Sequence, residues 1–136
     1  MVQRLFRRKK KEEKLEEQGQ KVERTKLEQI CGNNKEVCEA LWHTMFYDPT
    51  KIKTTMEEAA KTAANFEKNG ESRRARVYYH IAGGLALWKG DASKVKQYFG
   101  KCEKLAPDMD YGLITKIPEK AVEKAQEFYK EFLKQN

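Results

Sequence analysis

Between Tyr78 and Trp88 the only side chain that charges near neutral pH is His80. The apolar residues around it fall on two helical faces. One carries Tyr78, Ile81, Leu85 and Trp88, the other Ala75, Tyr79, Ala82 and Ala86. A helix that is apolar on two sides has to be covered on two sides, so the segment 72–89 is expected in the middle of a helix array. The rest of the chain agrees. Prolines stand only at 49, 107 and 118, the stretches between them are rich in Ala, Leu, Glu and Lys, and nothing alternates with period two. The expected fold is all-α, an antiparallel array of about five to six helices.

The spacing predicts a long polar helix over 3–30, with Gly32-Asn33-Asn34 as a stop and restart. Only Leu15 and Val22 interrupt its polar middle, so it is expected to bury little and either to project from the body or to fray. A second helix over 34–47 carries Val37, Cys38, Leu41, Trp42, Met45 and Phe46 as one stripe. A third over 54–69 opens at Thr54 or Thr55, with Glu57 and Glu58 in its positive first turn. The fifth, over 92–105, turns Val95, Tyr98, Phe99, Cys102 and Leu105 inward. Residues 108–117 read as a loop that still packs on the body through Met109, Tyr111, Leu113 and Ile114. Pro118 then opens a last helix over 118–134.

At 136 residues one modest core is expected. The chain divides into a basic tail with a polar helix over 1–32 and a helical domain over 33–136. Residues 1–11 hold six bases, Arg4, Arg7, Arg8, Lys9, Lys10 and Lys11, and no acid, while residues 68–104 hold nine bases against three acids. The longest apolar run, Ile81 to Trp88, is far short of the ~20 residues of a spanning helix. No apolar stretch follows the basic start, and three Cys form no framework spacing. A cytoplasmic protein is expected, with a membrane the least favoured partner.

The 34 residues from Arg76 to Met109 resemble a tetratricopeptide (TPR) repeat. Tyr79 stands near the start of the first helix, Ala82-Gly83 supplies the small pair where helices approach, and Gly90-Asp91 forms the turn. Val95, Phe99, Cys102, Leu105 and Pro107 match the second helix and its stop. Val95 and Cys102 stand where alanines are usual, and Ala86 where an aromatic is. Ala59, Ala63, Phe66 and Gly70-Glu71 extend the likeness over 54–107, with the last helix as a cap. The resemblance implies a binder of peptides or partner proteins. The TPR version that clamps a C-terminal carboxylate uses Lys, Arg and Asn at inner positions that here read Ala60, Ala64, His80 and Gly84, so no binding residue is carried over from it.

Catalytic signals are poor. There is no phosphate-cradling Gly-rich loop and no His-Glu-x-x-His, and Gly83-Gly84 lies mid-helix as a packing notch. Cys31, Cys38 and His43, spaced Cys-x6-Cys-x4-His, fit no common zinc pattern. No enzyme activity, metal or cofactor is expected. Arg73, Arg74 and Arg76 open a helix at its positive end, where acids would serve stability better, and so suggest an anionic partner. Together with His80, Trp42 and Tyr47 they are the candidate partner-binding residues, docking being expected on the face of helices 54–69 and 72–89. The second candidate partner is nucleic acid, its phosphates held by Arg4, Arg7, Arg8, Lys9, Lys10, Lys11, Lys94 and Lys101. A homodimer through the N-terminal helix is a further arrangement left open. Finally, Gln126, Tyr129, Phe132 and Leu133 resemble the peptide by which replication proteins bind the sliding clamp, although the same residues also suit an amphipathic helix.

Overall fold

The computed structural model describes residues 22–133. The basic tail and most of the expected 3–30 helix lie outside the described residues. Within them the chain forms seven α-helices, one 3-10 turn and no strand. They are α1 (Arg24–Cys31), α2 (Lys35–Thr44), the 3-10 turn (Pro49–Lys51), α3 (Met56–Lys68), α4 (Ser72–Lys89), α5 (Ala92–Leu105), α6 (Gly112–Thr115) and α7 (Pro118–Phe132). None is long and apolar enough to cross a membrane.

Local chemistry sets the ends. Thr55 and Glu58 form a reciprocal capping box at the start of α3. Asp91 caps α5 by accepting from the Lys94 amide at 3.0 Å. Gly90 closes α4 at φ 77°, a left-handed conformation that a side chain would oppose. These signals are strong and local, which is why α4 and α5 run over 72–89 and 92–105 as their sequence predicts.

Three elements depart from expectation. The polar helix is not continuous to residue 30, because Glu23 is extended at φ −75°, ψ 129° and a fresh helix starts at Arg24. Nor does α1 project: Leu27 and Cys31 are buried, and the helix packs on α2 and α7. The second helix ends at Thr44, three residues early. The Thr44 hydroxyl turns back to the Ala40 carbonyl at 2.7 Å, and Met45 is extended at φ −86°, ψ 137°. Part of the expected 108–117 loop is helical as α6, which buries Ile114.

α4 is the hub. It packs against α3, α5, α7, α2 and the 3-10 turn, and every residue from Ile81 to Leu87 is buried. Gly83 and Gly84 make this contact possible. A Cβ on Gly83 would lie 2.6 Å from the Phe99 ring, and one on Gly84 would run into Phe46. The array also closes on itself, since α7 touches α1 and α2 as well as α4 and α5. Tyr129 fastens that closure by donating to the Phe46 carbonyl at 2.5 Å in a buried setting. Burial holds its phenol well above the usual range. Tyr129→Phe is expected to cost about 1–3 kcal/mol, because the Phe46 carbonyl is left buried without a donor. Urea unfolding checks this, and a loss under about 0.5 kcal/mol would count against the bond.

Candidate functional site

Arg76 and His80 stand four residues apart on α4 and therefore share a face. Opposite them lies the end of α2. Its early termination at Thr44 swings Met45 and Phe46 away from the helix path. The third wall is the 106–111 segment. Asp110 adopts φ 61°, an uncommon conformation for a residue with a side chain, and Tyr111 beyond it is buried at 3% exposure.

These three elements enclose a cavity of about 310 Å³. Its polar side is Arg76, His80 and Tyr111, its apolar side is Trp42, Met45, Phe46 and Met109, and His43 stands at its edge. Met109 is 46% exposed, the one large apolar side chain so exposed among the described residues.

The polar side is tightly organised. Arg76 Nη1 donates to Tyr111 Oη at 2.8 Å. Tyr111 Oη lies 2.9 Å from His80 Nδ1. The phenol oxygen accepts from Arg76 and shares a hydrogen bond with Nδ1, whose direction is set by the imidazole tautomer; the tautomer protonated on Nε2 lets Nδ1 accept from the phenol. The ring also hydrogen-bonds the Thr44 backbone. Phe46, Phe99 and Tyr111 surround it edge-on at 5.7, 5.4 and 5.6 Å. Burial, and then the neighbouring Arg76 charge, push the His80 value down to about 3. His80 is thus a fixed hydrogen-bonding post, occupied on Nδ1 and held away from the charged state.

This has a measurable consequence. Between about pH 3 and the ordinary value of 6.5, the unfolded chain holds a proton on His80 that the folded chain does not. Stability therefore falls as pH drops through that window, by up to about 1.4 kcal/mol per pH unit from this group, and is unaffected above it. Comparing urea midpoints of the parent and His80→Gln from pH 7 to pH 4 is expected to show a shallower decline in the variant. Parallel curves would mean that His80 protonates freely in the fold.

The cavity gathers three of the residues selected from sequence, Trp42, Arg76 and His80. The others lie elsewhere. Arg73 is exposed at the start of α4. Arg74 pairs with Glu71 at 3.1 Å and covers the Phe66 ring. Tyr47 takes a hydrogen bond from Lys26 at 3.3 Å and meets Phe128. Between α3 and α4 the seam is closely packed: the Phe66 and Tyr78 rings meet at 5.6 Å, and Tyr79, 5% exposed, donates to Glu67 at 2.8 Å. On α5, Lys94 lies over the Tyr98 ring, while Lys101 reaches Glu67 at 3.7 Å. The six basic residues of the tail, Arg4 to Lys11, lie outside the described residues.

Sequence reasoning missed Met45, Met109 and Tyr111 as lining residues. The density of apolar residues between Pro107 and Pro118 was the available signal. The Cys31, Cys38 and His43 trio is not assembled as a site. The two thiols are buried neighbours, and burial pushes Cys31 up to about 12, whereas His43 is exposed and faces Glu39 at 3.9 Å. Among the described residues no group of three His, Cys, Asp or Glu side chains is placed to hold a metal ion. The clamp-like C-terminal residues are used internally. Gln126 Nε2 donates to the carbonyls of Leu87 and Trp88 at 2.7 and 2.9 Å, and Phe132 packs on Phe128.

Comparison of the chain with protein-family models, with curated proteins and with solved structures finds no match to any of them.

Proposed function

We propose that this chain is a non-catalytic helical adaptor, with helix pairs stacked in the TPR manner, that docks a peptide segment of a partner protein in the cavity between α2, α4 and the 106–111 segment. One observation carries the reading: an open cavity of about 310 Å³ combines an apolar wall and an exposed Met109 lip with a rigid hydrogen-bonding floor. Binding sites characteristically pair apolar walls with a few convergent polar groups. Trp and Met suit the anchoring role, Trp as a large rigid surface and Met as an adaptable one. The three free, buried thiols favour a reducing compartment, and the reading is of a cytoplasmic adaptor.

The test is selection of peptides from a random display library on the full-length chain, followed by affinities for Trp42→Ala and Met109→Asp. A loss of about tenfold or more in each, with unchanged circular dichroism, is expected. Peptides that bind both variants as tightly as the parent would remove the cavity from the reading.

Charge favours a second reading, phosphate binding through the tail and the basic stretch 68–104. Its signature is affinity for mixed-sequence nucleic acid that falls steeply with salt yet persists at physiological salt after residues 1–11 are removed.

A further inference from the structure

Arg76 differs from the other well-placed cations of the fold. Arg24 pairs with Glu28 and Glu39, Arg74 with Glu71, Lys101 with Glu67 and Lys124 with Glu127. Arg76 is half-buried, and among the described residues its guanidinium donates to the Tyr111 hydroxyl at 2.8 Å and forms no ion pair. No carboxylate meets it there, and no acidic residue lines the cavity. Asp108 and Asp110 flank Met109 but are exposed and outside the lining, and His43 at the edge is already turned to Glu39. Arg76's titratable neighbours His80 and Cys102 are both held uncharged by burial. Among the described residues the lining therefore carries the Arg76 charge and no carboxylate to balance it; Arg24, whose guanidinium lies over the Trp42 ring at 5.2 Å, is already paired with Glu28 and Glu39. A half-buried charge without a counter-ion is costly and is relieved when one arrives.

The walls define the rest of the ligand. Trp42, Phe46 and Tyr111 alone would suit a cation, but the guanidinium among them reverses that preference. A lone guanidinium is a planar fork, matched to the two oxygens of a carboxylate. Beside it, Met45, Met109 and the part of Trp42 that lines the cavity, whose ring also carries the Arg24 guanidinium at 5.2 Å, offer apolar surface for one large side chain, and the volume is at the low end for a ligand site.

We propose that the cavity recognises an acidic side chain adjacent in sequence to a large apolar one, the carboxylate on Arg76 and the apolar group against Trp42 and Met109. This rests on the peptide-docking reading and adds the chemistry of its ligand.

The test uses full-length protein and hexapeptides blocked at both ends, each with Glu beside Phe between glycines, in both orders. Counterparts carry Gln or Lys for Glu, or Ala for Phe. Binding is followed by NMR shifts of the Trp42 indole and by their saturation. The Glu-Phe peptides are expected to bind about tenfold or more tighter than their Gln counterparts, in line with a charge-assisted hydrogen bond, and the Lys peptides weakest of all. In Arg76→Leu the preference for Glu over Gln is expected to vanish, and in Arg76→Lys to persist. Because each variant is judged by the ratio of two peptides, a modest loss of stability does not mimic the result. Equal binding of Glu and Gln peptides, or a Glu preference that survives Arg76→Leu, would overturn the ligand assignment and leave peptide docking standing. No shift at Trp42 from any peptide would overturn both.

Discussion

Phe128→Ala is expected to lower unfolding stability by about 3–5 kcal/mol, a large part of what a domain of this size possesses. Phe128 is fully buried and meets Phe132, Tyr129 and Tyr47 at 4.9, 5.9 and 6.0 Å. Its helix touches α1, α2, α4 and α5. In an open helical stack each unit contacts only its neighbours, and damage to the last helix frays one end. Here α7 joins the first described helices to the hub, so the loss is expected to be global. Urea unfolding read by helix content and by tryptophan emission should give one coincident transition in the variant at a lower midpoint. Two separated transitions, with most helix content surviving the first, would show that α7 is only a cap.

Gly83→Ala is expected to destabilise by about 1–3 kcal/mol, against the direction that helix propensity alone would give. The new Cβ would meet the Phe99 ring at 2.6 Å. That ring is fully buried and wedged between His80 and Tyr111, so it has little room to retreat. Gly100 is the control: it is also inside a helix, on α5, but nothing lies within 4 Å of where its Cβ would be. Gly100→Ala is expected to raise stability by about 0.5–1 kcal/mol. Thermal unfolding of the two variants should move in opposite directions. A stabilised Gly83→Ala would mean that α4 and α5 are not in close contact at this point.

The fold was legible where a local signal coincided with the tertiary need. The Asp91 cap, the Gly90 stop and the apolar run from Ile81 to Trp88 each report a neighbouring turn or a buried face, and α4 and α5 follow from them. The boundaries that failed depend on distant partners. Nothing near Thr44 announces that α2 stops there, because the Met45–Phe46 exit exists to seat Phe46 on Gly84 and under the Tyr129 hydroxyl. The site was half legible for the same reason. Arg76 and His80 stand at helical spacing and could be paired from sequence, and Trp42 was visible as a large aromatic on an amphipathic helix. Tyr111 is 35 residues from Arg76 and joins it only because the segment after α5 folds back at Asp110. The arginines adjacent to Arg76 were grouped with it by proximity in sequence, yet a helix sends Arg73 to solvent and Arg74 to Glu71.

The most direct measurement is a fluorescence titration of the Trp88→Phe chain with a display-selected peptide. Trp42 is then the only tryptophan and sits in the cavity wall. The expected result is a saturable change in Trp42 emission, with the dissociation constant found by anisotropy of the labelled peptide. Saturable anisotropy with an unchanged Trp42 signal would put the peptide elsewhere on the molecule and contradict the assignment of this cavity as the docking site.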